Sequence, residues 1–218
     1  MRTQAIIFDF DGVLANTEDL HYRAFVQVFT PRGWDLDAAE YYERYMGFDD
    51  RGLVVEYARD RSMDLSADVI DALTASKAQA FAAMVASGDV LYPGAREIVR
   101  QLAGRFRLAI ASGALHEEIV TILRAGGVLD SFEAIVGADD VPASKPAPDS
   151  YLAAAAALGV DPAACVAVED SVWGLRAARA AGMRAIGVTT TSPRSALDGA
   201  EQILAGVHEL TIEILERR

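Results

Sequence analysis

The residues of this chain best suited to chemistry are carboxylates that follow apolar runs. Asp9 and Asp11 bracket Phe10 at the end of the run starting at Ala5, and Gly12 follows as a turn residue. Ala5–Phe10 reads as a short buried strand. Residues two apart in a strand project to the same side, so the spacing predicts that both carboxylates point one way. Side by side they repel, and both ionise only if a cation lies between them; otherwise one keeps a proton. A nucleophile that also holds a divalent cation, beside a group that donates and accepts a proton, meets both conditions. Val168-Glu169-Asp170-Ser171 ends another apolar run with two more carboxylates. Ser112-Gly113 follows a third run and precedes a helical pattern, where a hydroxyl and free amides can hold an anion. Lys145-Pro146 lies in a loop after the 134–141 segment, from which an ammonium could reach inward. Taken singly, these are common turns, solvated acids and a surface lysine. Their joint placement after strands points to phosphoryl transfer with Mg²⁺, which takes a few carboxylates plus water and phosphate oxygens.

The elements that must position these groups alternate along the chain. Strand candidates are Ala5–Phe10, Arg107–Ser112, Ala134–Gly137, Cys165–Glu169 and Ala185–Val188, each short and mostly apolar, as strands covered on both faces are. Between them run helical patterns. Ala95, Ile98, Val99 and Leu102 share one face, and Leu115, Ile119, Ile122 and Leu123 share another; Leu152–Leu158 stops at Gly159 and Val172–Ala181 at Gly182. The alternation predicts an α/β fold with a doubly wound, parallel, Rossmann-like sheet, whose ligand crevice lies beyond the carboxyl ends of its strands. Residues 17–92 show no convincing strand. They read as helices at 18–29, 38–46, 51–60 and 66–87, the last with an apolar stripe through Val69, Ile70, Leu73, Ala80, Phe81, Met84 and Val85. The sequence thus divides into an α/β catalytic core, 1–16 and 93–218, and an inserted all-helical cap, 17–92. Its two tethers, Gly12–Asn16 and Gly88–Pro93, suit a hinged lid.

Composition sets outer limits. The 218 residues are 52% hydrophobic and 24% charged, and 32 acidic against 20 basic side chains give a formal net charge of −12. That balance lacks the basic footprint expected of a nucleic-acid or acidic-membrane partner. The single cysteine, Cys165, can form no disulfide within the chain and suits a reducing cytoplasm. Its place in the run Ala164–Val168 marks it as a small core hydrophobe. No signal-peptide pattern is visible, and no run approaches the roughly 18 apolar residues of a membrane span. The expectation is a cytoplasmic monomer that acts on a small molecule.

In their order (D-x-D-G-V near the N-terminus, S-G after the second strand, K-P, then E-D-S-x-x-G) the motifs resemble those of the haloacid dehalogenase superfamily. The likeness is greatest to its helical-cap branch, which contains β-phosphoglucomutases and small phosphomonoester phosphatases, and it covers essentially the whole chain. The resemblance implies Asp9 as a nucleophile that passes through an aspartyl-phosphate, and Asp11 as general acid/base. It implies Ser112, Gly113 and Lys145 as phosphate holders, with Asp9, Asp11, Glu169 and Asp170 around Mg²⁺. The dehalogenases that name the superfamily do not use a second aspartate as acid/base, so Asp11 favours phosphoryl transfer.

Mutases of this branch handle a sugar phosphate with a threonine and a histidine just after the first motif, and with an arginine and a lysine in the cap. Thr17, His21, Arg51 and Lys77 lie at comparable positions. On the residues alone, His21 falls beside Ala24, Phe25 and Val28, and Lys77 interrupts the apolar stripe of its helix. Both either snorkel at the edge of the packing or face a substrate. Arg51, after Gly47-Phe48-Asp49-Asp50, could bind a second phosphate at a helix start. Three departures weigh against a mutase: Asn16-Thr17 in place of Asp-Thr, the loose spacing from Gly47 to Arg51, and Gly-Ala-Leu-His-Glu-Glu after Ser112 where mutases carry a Lys-Asn pair, for which His116 is a poor substitute. The expected activity is hydrolysis of a small phosphorylated metabolite, a sugar phosphate, and the alternative is a β-phosphoglucomutase. A non-catalytic phospho-acceptor like the receiver domains of signalling proteins is a remote third. Such domains are shorter, lack an inserted helical domain and need no acid/base two residues after the phosphorylated aspartate.

Overall fold

Six strands, β1 (Ala5–Phe8), β2 (Arg107–Ala111), β3 (Ala134–Val136), β4 (Cys165–Glu169), β5 (Arg184–Val188) and β6 (Gln202–Leu204), lie in one sheet in the order β3-β2-β1-β4-β5-β6. All five pairings are parallel. The structure, a computed structural model, describes residues 2–45, 48, 50–87 and 90–216. The order reverses at β1, which has β2 on one side and β4 on the other. Phe8 is level with Ile110 and with Val168, so one step further Asp9 is level with Ala111 and Glu169. This reversal is where a parallel sheet opens a crevice. β6 was not expected, because its three residues, Gln-Ile-Leu, are too few to register as an apolar run.

The chain divides into two compact units, Met1–Asn16 with Asp89–Arg218, and Thr17–Gly88. In the first, α7 (Asp149–Leu158) and α8 (Val172–Ala180) cover one face of the sheet. Ala154 and Ala155 of α7 and Ala109, Ala111 and Ala167 of the strands belong to one buried cluster, with Ile7, Tyr151 and Leu158 filling the remaining volume. Small residues there let the helix approach the sheet closely, and each large aliphatic side chain so buried contributes about 1.5–3 kcal/mol. α5 (Ala95–Ala103) buries Ala95, Ile98, Val99 and Leu102, the face its periodicity predicts. α6 (His116–Ala125) buries Ile119, Ile122 and Leu123, but Leu115 does not join them. It precedes the helix in an extended conformation and is 57% exposed. Short α9 (Ile212–Glu216) ends the unit, with Leu215 buried.

The chain leaves and re-enters this unit through a paired neck. Ala15 and Leu91 form an antiparallel bridge, Asn16 N–H donates to Val90 O at 2.9 Å, and Tyr92 N–H donates to Leu14 O at 2.9 Å.

The second unit holds α1 (Glu18–Phe29), α2 (Ala38–Glu40), α3 (Asp50–Asp60) and α4 (Ala67–Ser87). Asp37 caps α2 by accepting the amides of Ala39 and Glu40 at 2.8 and 3.3 Å. The continuous helix expected over 38–46 is instead this short turn followed by a π-helical turn, Tyr41–Tyr45. α1 and α4 pack along each other, with Ala24, Phe25 and Val28 buried on one and Leu73, Ala80 and Phe81 on the other. Phe29, Trp34 and Tyr57 form an aromatic cluster with centroids 4.6–6.0 Å apart. α4 is long and apolar enough to cross a membrane by length and average composition. Averaging hides its polar positions, which include Asp68, Asp71 and Lys77.

Candidate active site

β1 ends at Phe8, so Asp9 and Asp11 do not share an extended strand as their spacing suggested. Asp9 is the first residue beyond it. Its N–H continues the ladder to Val168 O at 2.9 Å, and its Oδ1 accepts the Phe10 amide at 2.7 Å. The chain then coils tightly: Leu14 and Ala15 donate to Phe10 O at 2.9 and 3.0 Å, and Gly12 donates to Ala15 O at 2.9 Å. Asp11 sits half-buried in this turn, its backbone bridged to Ala15. Gly12 has φ of +77°, and a Cβ there would lie 2.0 Å from Asp170 Oδ2. Backbone conformation and the approach of Asp170 both demand glycine.

At the end of β4, Glu169 is fully buried and every oxygen is used. Oε1 accepts Lys145 Nζ at 2.6 Å and Tyr151 OH at 2.9 Å. Oε2 accepts the amides of Asp170 and Ser171, each at 3.1 Å, and the Ser171 hydroxyl at 2.9 Å. The Ser171 oxygen also caps α8 by accepting the Gly174 amide at 3.0 Å. Gly174 lies against the carboxylate itself, since a Cβ at that position would fall 1.6 Å from Glu169 Oε1. Lys145 reaches in from its loop to contact Asp9 Oδ1 at 2.8 Å as well as Glu169, and its ammonium lies 5.1 Å from the Tyr151 ring centroid.

Asp9, Glu169 and Asp170 present ligand oxygens within 4.8 Å of one another, all buried. Three carboxylates and the Lys145 ammonium leave a formal charge of −2, which one divalent cation cancels. The shifts of the acids report the same imbalance. Burial, and then the charge of Glu169, push Asp9 well above the ordinary carboxylate range against the pull of Lys145. Burial and Glu169 raise Asp170 to about 6, although the Thr191 hydroxyl opposes the rise. Burial works against the Lys145 charge, but Asp9 and Glu169 outweigh it and hold the ammonium above its ordinary value. Buried carboxylate oxygens that resist ionisation by themselves are a donor set for a hard divalent cation. Glu169, already saturated, suits an outer role, and Asp9 and Asp170 offer the open oxygens.

Ser112 follows β2, buried, with its N–H on Val136 O at 2.9 Å and its hydroxyl accepting the Ala114 amide at 3.0 Å. Gly113 next to it is exposed, and nothing lies within 4 Å of where a Cβ would be. His116 opens α6 and pairs through Nδ1 with Asp140 Oδ2 at 2.9 Å. Sequence reasoning missed three contributors. Tyr151 reads as an ordinary helix residue, and its contact with Glu169 comes only from the packing of α7. Thr190 and Thr191 follow β5 and donate to Gly12 O and Asp170 Oδ2. Their signal was the hydroxyl run Thr189-Thr190-Thr191-Ser192 directly after the apolar run Ala185–Val188.

In the helical unit, Lys77 neither snorkels nor stands alone. It is 2% exposed and contacts Asp50 Oδ1 at 2.6 Å and His21 Nδ1 at 2.5 Å. Its ammonium lies 5.0–5.2 Å from the rings of Phe81 and Phe25, and His21 stacks on Phe81 with centroids 4.3 Å apart. Thr17 is buried at the start of α1, where its carbonyl accepts the His21 amide at 2.9 Å. Arg51 does not join this group and pairs with Asp71 on α4. Of the loop proposed to precede it, Gly47 and Asp49 lie outside the described residues.

The model of the family described as haloacid dehalogenase-like hydrolase matches residues 3–182. The chain belongs to the haloacid dehalogenase-like hydrolases. It is 37% identical over 193 residues to protein CbbY of Rhodobacter capsulatus, covering 85% of each chain. With hexitol phosphatase B of Escherichia coli it shares 35% identity over 217 residues, 97% of this chain and 96% of that one. Among solved structures, a mutant of CbbY from Rhodobacter sphaeroides in complex with xylulose-1,5-bisphosphate superposes with a TM-score of 0.83 at 33% identity, over the full length of both chains. The likeness therefore spans the strand-end residues and the helical unit alike.

Proposed function

We propose that this chain hydrolyses the phosphate monoester of a small sugar phosphate, with Asp9 as nucleophile and Mg²⁺ as cofactor. The observation that carries the reading is Lys145 Nζ held against both Asp9 Oδ1 and Glu169 Oε1, at 2.8 and 2.6 Å, where the strand order reverses. A fixed cationic side chain touches the carboxylate that attacks, where the charge of a transferring phosphoryl group needs neutralising. Asp9 and Asp170 would hold Mg²⁺, with the Asp11 carbonyl and Glu169 completing the surroundings. Bound there, the cation supplies charge neutralisation that lets an anionic carboxylate approach an anionic phosphate.

Asp9 attacks phosphorus, the bond to the leaving alcohol oxygen breaks, and the phosphoryl group passes to the carboxylate as an acyl-phosphate. Asp11 gives its proton to that alcohol oxygen. It then takes a proton from the water that attacks the acyl-phosphate, releasing inorganic phosphate and restoring Asp9. Ser112 Oγ, the Gly113 amide and Lys145 hold the non-bridging oxygens. Thr17, His21, Arg51 and Lys77 are the candidates for substrate recognition on the helical unit, which we read as a cap. Relatives named for hexitol phosphates, and the structure that holds xylulose-1,5-bisphosphate, support a sugar phosphate as substrate. The buried thiol of Cys165 suits a reducing cytoplasm, and a monomer is the simplest assembly for such an enzyme.

Two measurements test this. Steady phosphate release from p-nitrophenyl phosphate with Mg²⁺ is expected, and Asp9→Asn should abolish it; near-wild-type turnover by that variant would mean another nucleophile. Stoichiometric phosphorylation without turnover would mean an acceptor domain. Incubation with β-glucose 1-phosphate and a trace of the 1,6-bisphosphate, followed by phosphorus NMR, addresses the mutase. Glucose 6-phosphate forming faster than free phosphate would replace hydrolysis by phosphate migration.

A further inference from the structure

Asp170 is enclosed by two other loops. From the loop after β5, the Thr191 hydroxyl donates to its Oδ2, while Thr190 donates to the carbonyl of Gly12. From the loop after β1, Gly12 approaches so closely that a Cβ there would lie 2.0 Å from Asp170 Oδ2 and 2.9 Å from Thr191 Cγ2. The Thr191 methyl thus rests against Gly12 while its hydroxyl points at the carboxylate. A β-branched side chain with one substituent wedged has little freedom at χ1, so the direction of the hydroxyl is fixed.

We propose that Thr191 is a positioning residue for the divalent cation: its hydroxyl sets the orientation of the Asp170 carboxylate, and the affinity of the site for Mg²⁺ depends on it. The proposal rests on the reading of Asp170 as a metal ligand. Thr190 anchors the same loop to Gly12 and keeps Thr191 in register with the carboxylate. A ligand whose carboxylate plane is fixed before the cation arrives need not be ordered on binding, and partners of this kind contribute typically 10–100-fold to metal affinity. The role differs from that of Glu169, whose oxygens are consumed by Lys145, Tyr151 and the start of α8.

The test is calorimetric titration of Mg²⁺ into the chelator-treated protein, with thermal melts of the metal-free state recorded in parallel. Thr191→Val keeps the shape and removes the donor, whereas Thr191→Ser keeps the donor and removes the methyl. Expected are a Kd for Mg²⁺ at least about tenfold weaker in Thr191→Val and within about threefold of wild type in Thr191→Ser. Asp170→Asn should lose Mg²⁺ binding. A wild-type Kd in Thr191→Val would overturn the proposal while leaving Asp170 a ligand. Equal weakening in Thr191→Val and Thr191→Ser would assign the effect to loop packing and also overturn it. Undiminished binding by Asp170→Asn would remove the underlying reading and the proposal together. Should Thr191→Val fail to fold, Thr191→Ala is compared with Thr191→Ser by the same criterion.

Discussion

Alanine at Gly174 is expected to unseat Glu169. The added Cβ would fall 1.6 Å from Oε1, 1.8 Å from Cδ and 2.2 Å from Oε2 of that residue, far inside any contact distance between heavy atoms. Either the carboxylate moves or the first turn of α8 does. The carboxylate is fully buried and accepts hydrogen bonds from Lys145, Tyr151, Ser171 Oγ and two backbone amides, so it has no alternative seat with equal partners. Displacing it breaks a buried ion pair, a loss of roughly 3–5 kcal/mol. For a chain of this size each kcal/mol is worth about 2–4 °C, which gives a fall in Tm of about 6–20 °C. Gly113→Ala is the stability control, because a Cβ there meets nothing within 4 Å, and its Tm should stay close to wild type. Melting is followed by far-ultraviolet circular dichroism, and phosphate release is titrated with Mg²⁺ on whatever remains folded. A shorter acid should partly relieve the clash, so Gly174→Ala with Glu169→Asp should melt higher than the two single losses added together predict. A Gly174→Ala protein that melts with wild type would show that the contact between α8 and Glu169 does not constrain the site as argued.

Two other perturbations follow from the helical unit. Arg61 Nη2 donates to Glu40 Oε2 at 2.7 Å and, against the effect of burial, holds that carboxyl below its ordinary value. A depressed folded value means the stability from Glu40 is present above its unfolded pKa and lost as pH falls through the folded one. Glu40→Gln should therefore flatten the dependence of Tm on pH below about pH 4.5 while costing under about 1 kcal/mol at neutral pH; an unchanged slope would refute the pairing. Asp50→Ala removes the carboxylate from a buried ammonium, and a loss of about 1–3 kcal/mol is expected in urea denaturation. The pair Asp50→Ala with Lys77→Met should recover part of that loss, and no recovery would show that the ion pair is not what Asp50 provides.

The strand-end residues were legible in the sequence because each directly follows an apolar run. A parallel sheet turns that local pattern into a shared edge, so Asp9, Ser112, Glu169 and Asp170 could be grouped without knowing any distance. The contacts that complete the group were not legible. Tyr151 meets Glu169 across 18 positions, and Thr191 meets Asp170 across 21; neither separation leaves a periodic trace. Lys77 stood out as a charge in an apolar stripe, but its partner Asp50 lies 27 positions away on another helix. Leu115 misled because three apolar residues at helical spacing follow it, while the chain becomes helical only at His116. The length of the first strand misled in a similar way. Apolar character continues through Phe10, but the backbone turns after Phe8 to close around Gly12.

The neck formed by Leu14–Asn16 and Val90–Tyr92 bears on how such a chain can change over generations. Because the polypeptide departs and returns at a hydrogen-bonded pair of segments, everything between them is, to the sheet, a closed loop. The entropy of closing a loop rises only with the logarithm of its length, about 0.6 kcal/mol per doubling. A whole helical body there therefore burdens the sheet scarcely more than a modest turn would. Insertions, deletions or wholesale replacement beyond the neck would leave the register of β1 with β2 and β4 untouched, and with it the places of Asp9, Ser112 and Glu169. The gene can accordingly vary one stretch widely while the segments that build the sheet stay under constraint.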